Sequence, residues 1–105
     1  MAEAAGSEPK EVVLQRRAEE LQALRARVIN LEAQEREHVS AAEVLGQLPA
    51  DRRAFRLVGD VMVEQTVREA IEGVAANKEM IQKALEDAVK RTMDIEKSVR
   101  ELAAN

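Results

Sequence analysis

The sequence predicts a mainly α-helical fold, an antiparallel two-helix coiled coil with a single β-hairpin at its centre. Three observations carry this prediction. Charged residues make up 34% of the chain and Phe55 is its only aromatic, so the apolar residues suit helix–helix seams better than a globular core. Apolar residues recur at 3-4 spacing through both halves. Between them the stretch RRAFRLVGDVMVEQTV, residues 52–67, switches to β-branched residues around one Gly-Asp.

Residues 1–8 are small, polar and acidic, and are expected to form a flexible tail. Ser7, Glu8 and Pro9 then read as the start of a helix over about 9–46, because proline fits a first turn whose amide needs no partner. Leu14, Leu21, Leu24, Val28, Leu31, Ala42 and Leu45 hold the seam spacing. Arg17, Glu35 and His38 share that seam and make it imperfectly apolar. Gly46 and Pro49 end the run, with glycine expected as a left-handed cap.

The second helix, over about 65–103, is cleaner. Val67, Ile71, Val74, Ile81, Leu85, Ala88, Ile95, Val99 and Leu102 keep one register, interrupted only by Lys78 and Thr92. Glu64-Arg68, Glu79-Lys83, Glu86-Lys90, Asp87-Arg91 and Glu96-Arg100 stand four apart, acid first. Such pairs stabilise a helix surface by about 0.2–0.5 kcal/mol each. Helices of this length span roughly 55–60 Å. Neither buries its stripe alone, and the short connection makes each the other's antiparallel partner.

That connection, about 47–64, holds the hairpin. Residues 55–58 and 61–63 are its strand segments, and Gly59-Asp60 is a two-residue turn signal. A lone two-stranded hairpin is marginal in water, and its open edges invite further strands. No third strand is legible in this chain. Phe55, Leu57, Val58, Gly59, Val61, Met62 and Val63 are therefore expected to form an oligomerisation hairpin that joins an intersubunit β-barrel.

Several function classes are excluded on composition. Without cysteine there is no disulfide, thiolate metal site or cysteine nucleophile. No apolar run approaches the ~20 residues that cross a bilayer, and the first residues lack a signal-peptide pattern. A soluble, cytoplasmic protein without membrane contact is expected. The net charge of −4 is interspersed, and Arg16, Arg17, Arg25 and Arg27 are diluted by acidic neighbours, so no nucleic-acid surface is expected. No phosphate loop, metal-ligand spacing or nucleophile–base pair is present. An enzyme is not expected, and no catalytic, cofactor or metal residue is assigned. His38, the lone histidine, reads as part of a polar seam layer.

Residues 51–81, DRRAFRLVGDVMVEQTVREAIEGVAANKEMI, resemble the β-type subunits of the prefoldin family, most of all the eukaryotic subunit 2 branch. The likeness lies in the Arg-x-aromatic-Arg segment, Val58-Gly59, the Val-x-Val-Glu strand and Asn77-Lys78-Glu79, and in looser form it runs over about 11–102. The family commonly has Gly-Gly where Asp60 follows Gly59, and often a proline near Gly73. The resemblance implies a hexamer of two α-type and four β-type subunits, each β-type chain giving one hairpin to a shared double barrel. It implies holding of unfolded clients, such as actin and tubulin, at coiled-coil tips without ATP, and delivery to a cytosolic chaperonin.

On that reading the client-binding tips are Val12, Val13 and Leu14 with Val99, Leu102 and Ala103, the end residues of an antiparallel pair. Fraying helix ends lend their seam residues to a client, and weak contacts from several arms add by multivalency. Met80 and Met93, off the seam, are further flexible apolar groups. The alternative is a structural coiled-coil adaptor or tether without client-holding activity. It explains the heptads but gives the hairpin no role.

Overall fold

The computed structural model describes residues 8–105; residues 1–7 of the expected tail lie outside them. In chain order the elements are helix α1 (Lys10–Gly46), strands β1 (Arg53–Val58) and β2 (Val61–Thr66), and helix α2 (Val67–Ala104). The chain divides into two compact units. One joins residues up to Asn30 with Leu85–Asn105, and the other is Leu31–Ala84. Among the described residues no helix is long and apolar enough to cross a membrane.

In the chain-end unit the 3-4 seam is the buried stripe. Ala88 and Ile95 of α2 are buried, Ile95 at 2% exposure, and Leu14, Leu21, Leu24 and Val28 of α1 are half-buried. Two cross-helix ion pairs flank this seam. Arg25 meets Glu96 at 2.8 Å, and Arg91 meets Glu20 at 2.6 Å. Lettering the repeat a to g with the seam at a and d, the first pair joins two e positions and the second two g positions. Like letters face each other only when one helix is reversed, so the charges also specify the antiparallel sense. Lys10 Nζ donates to the Asn105 backbone oxygen at 3.0 Å, which brings the two ends together.

Of the five acid-first pairs expected from Glu64 onward, only Glu79–Lys83 closes among the described residues, at 3.7 Å. Glu96 and Arg91 turn to α1 instead, because each flanks the seam and finds an opposite charge across it.

Two polar seam residues bond the carbonyl one turn before them on their own helix. Thr92 Oγ1 donates to the Ala88 carbonyl at 2.8 Å. In the other unit His38 Nδ1 lies 2.8 Å from the Gln34 carbonyl, so this nitrogen is the protonated one. Arg17 reaches Glu20 at 3.7 Å, while its Nε is enclosed without a partner among the described residues.

Both helices are capped at their hairpin ends, in different ways. Gly46 is the last residue of α1 and is not left-handed, since Gly59 is the one described glycine with positive φ. The expected left-handed cap is absent. Gln47 N–H instead donates to the Val44 carbonyl at 3.2 Å and Leu48 N–H to the Leu45 carbonyl at 3.1 Å, a tightened last turn that satisfies the same orphan carbonyls. At the start of α2, Thr66 and Glu69 form a capping box. Glu69 N–H donates to Thr66 Oγ1 at 3.2 Å, and Thr66 N–H donates to Glu69 Oε1 at 3.0 Å. Val67 N–H adds a bond to the Arg52 carbonyl at 2.9 Å and Arg68 N–H one to the Ala50 carbonyl at 3.0 Å, fastening the first turn of α2 to the segment before β1.

Candidate functional site

The hairpin follows from its sequence. Strands β1 and β2 pair antiparallel from Arg53↔Thr66 to Val58↔Val61, which leaves Gly59 and Asp60 as the turn. Gly59 has φ 61° and Asp60 has no positive φ, the pattern of a type II′ turn with glycine at its first central position. That turn matches the twist of the flanking strands. The paired region is longer than the β-branched runs alone suggested, with β2 continuing through Gln65 and Thr66 into the cap of α2.

The hairpin does not bury its apolar residues. Phe55 is 55% exposed, Leu57 66% and Val61 63%, and Val58, Met62 and Val63 are exposed as well. They fall on both faces. The register puts Phe55, Leu57, Met62 and Glu64 on one side, and Ala54, Arg56, Val58, Val61, Val63 and Gln65 on the other. A two-stranded sheet also has two open edges. The fixed points are Arg53–Glu64 at 2.7 Å across the strands, and Arg68–Asp51 at 3.4 Å at the base. Val67, fully buried where β2 passes into α2, anchors the strand to the helix. Beside β1 lies an open groove, lined by Ala54 and Arg56 with Leu45 of α1 and Ala70, Gly73 and Val74 of α2.

In the chain-end unit, Val12 is 46% exposed, and Val13, Leu14, Val99 and Leu102 are half-buried in the last turns of the seam. The Lys10–Asn105 bond brings these two sets of residues together. The same unit carries an apolar strip that the heptad pattern does not single out. Ile29, Val89 and Met93, all exposed, line a shallow groove with Val28, beside the Arg25–Glu96 pair. Only Met93 was noted from sequence. The readable signal for the other two was a branched apolar residue standing directly after a seam position. Among the described residues no group of three or more potential ligands forms a metal site.

Comparison with known proteins places this architecture. The family model described as "Prefoldin subunit" matches residues 11–105. Prefoldin subunit 2 of Rattus norvegicus and of Homo sapiens are each 35% identical over 68 residues, which is 65% of this chain and 44% of theirs. The Arabidopsis thaliana protein of the same name is 31% identical over 80 residues, 72% of this chain and 54% of its own. The chain thus spans about half the length of the curated relatives it matches. Among solved structures, the prefoldin beta2 subunit from Thermococcus strain KS-1 has a TM-score of 0.76 at 27% identity, covering 89% of this chain and 99% of that one. The prefoldin beta subunit of the same strain has a TM-score of 0.80 at 19% identity over 90% of this chain and 83% of that one, a likeness of fold.

Proposed function

The chain belongs to the prefoldin family, and we propose that it acts as a β-type subunit of a cytoplasmic hetero-hexameric co-chaperone. Its hairpin joins the hairpins of α-type and other β-type subunits in a shared barrel. Its coiled-coil end holds unfolded clients, such as actin and tubulin, without ATP and delivers them to a cytosolic chaperonin. The observation that carries this reading is the hairpin itself. Six apolar residues on two strands are exposed, and both sheet edges are open, so this chain alone leaves the hairpin's apolar surface in water. A closed intersubunit sheet removes both costs at once.

Client holding falls to the chain-end unit. Val12, Val13, Leu14, Val99 and Leu102 supply apolar surface at the last turns, and Ile29, Val89 and Met93 extend it along the helices. A flexible thioether beside branched residues suits many client sequences better than one. The tether reading leaves the hairpin without a role.

The test is the native mass of the protein captured from its own cells, with its bound chains identified. The expected result is a hexamer with two α-type and four β-type chains. Recovery as a lone chain or a helical homodimer overturns the assembly. With the hexamer in hand, replacing Val12, Leu14, Val99 and Leu102 together by serine is expected to keep its mass and lose suppression of aggregation of unfolded actin. Suppression unchanged by that replacement removes these residues from client binding.

A further inference from the structure

We propose that the Met93 thioether is a redox modification site: a peroxide converts it to the sulfoxide, and the change switches off apolar holding along the chain-end unit without unfolding it. This rests on the client-holding reading above and names a regulation of that surface.

Composition directs oxidation to methionine. The chain has no cysteine, tryptophan or tyrosine, so its four methionines carry its only sulfur. Met62, Met80 and Met93 are 60%, 69% and 63% exposed, so a peroxide reaches all three and exposure alone does not choose among them. In the step a sulfur lone pair attacks one oxygen of hydrogen peroxide. The O–O bond breaks, an S–O bond forms, and the second oxygen leaves with both protons as water. The sulfur gives up two electrons and the peroxide takes them. A dithiol reverses the step by closing to a disulfide, and the sulfoxide oxygen leaves as water.

Position gives Met93 its consequence. It lines two shallow grooves of the chain-end unit, one with Val28, Ile29 and Val89, the other with Leu85 and Val89. Met80 lines neither, and Met62 lies on the hairpin. Met93 also stands off the seam, whose neighbouring positions Thr92 and Ile95 are half-buried and buried. A sulfoxide there is solvated in the folded chain and disturbs no core. The effect falls on the grooves, where a flexible apolar group becomes a polar acceptor. Lys90, three residues before Met93, lines the second groove, so the new acceptor stands one helical turn from an ammonium. A hydrogen bond between them draws that charge over the apolar strip.

The assembled complex, carrying this chain unaltered or as a variant, is treated with hydrogen peroxide, and oxygen uptake at each methionine is mapped by mass spectrometry. Binding of unfolded actin, helix content and native mass are compared with the same complex before treatment. Met93 is expected to gain one oxygen, with helix content and native mass kept and actin affinity lowered by about fivefold. Methionine sulfoxide reductases with a dithiol are expected to restore it. Against its own untreated sample, Met93→Leu is expected to escape most of that loss. Met80→Leu, matched in exposure, is expected to lose as much as the unaltered complex. Met93→Gln, a polar side chain of similar length, is expected to weaken binding by about fivefold with no peroxide at all. Equal loss in Met93→Leu and the unaltered complex overturns the proposal, as does a Met93 that takes up no oxygen or a Met93→Gln that binds as tightly as the unaltered chain. A fall in helix content on oxidation overturns it too, since Met93 would then be structural. If the untreated complex holds no actin, the client-holding reading itself falls, and this proposal with it.

Discussion

The chain-end unit and the hairpin use the same branched apolar residues in opposite ways. In the chain-end unit Ile95 is buried in the seam between two ion pairs. In the hairpin Leu57, Val58 and Val61 stand in water although the strands around them are regular and capped. The seam closes within one chain because two helices of similar length supply both of its sides. The hairpin has two strands, and burying both of their faces takes more sheet than the described residues hold. One region stabilises the chain; the other leaves its apolar surface exposed, and the proposed assembly rests on that exposure.

Substitutions separate the two roles. Ile95→Ala is expected to destabilise the purified chain by about 2–5 kcal/mol, since it opens a cavity in the seam. Leu57→Ala, by the same urea titration, is expected to stay within about 0.5 kcal/mol and to lose hetero-oligomer instead. Equal loss of stability in both variants breaks the comparison, because the hairpin would then be core. Ala88→Leu overfills a close contact in the seam, and a cost of about 1–3 kcal/mol is expected in thermal unfolding.

Smaller effects sharpen the boundary between the regions. Thr66→Ala removes half of the capping box where hairpin and helix meet, with an expected cost of about 1 kcal/mol; hydrogen exchange is predicted to quicken at Val67, Arg68 and Glu69 first. The Arg25–Glu96 pair is more than a third exposed on both sides. A double-mutant cycle on it should therefore return about 0.2–1 kcal/mol, fading with added salt. The smallest expected effect is at Glu8, whose carboxyl the Arg16 guanidinium holds below the usual carboxylate range by hydrogen bond and charge. A depressed carboxyl stabilises above its unfolded pKa and loses that contribution as pH falls through the folded value. Acidification should loosen the first turn of α1 before it touches the seam, an order that nitrogen-resolved NMR titration checks.

Much of this was legible in the sequence because burial repeats with the helix period. Every position assigned to the seam, Arg17, His38 and Lys78 included, is buried or half-buried in the structure. The turn was legible because Gly-Asp between β-branched runs has few other uses. Charge partners were not: Arg91 and Glu96 each had an opposite charge four residues away on their own helix, and only the register of the other helix decides that they pair across the seam. Gly46 shows a similar gap, since a helix that tightens into its last turn needs no left-handed residue. The capping box was written in the sequence as T-x-x-E, and the β-run before it drew the helix start forward. Ile29 and Val89 lie off the repeat, where an apolar residue carries no period to betray it.

On the proposed assembly, the open edges of the hairpin also govern the chain's life before its partners arrive. A newly synthesised copy without partners carries an adhesive strand flanked by exposed valine, leucine and methionine. Surplus copies are thereby marked by their own geometry. On the proposed assembly, expression out of proportion to the other subunits should end in precipitation or proteolysis, which ties the supply of this chain to that of its partners.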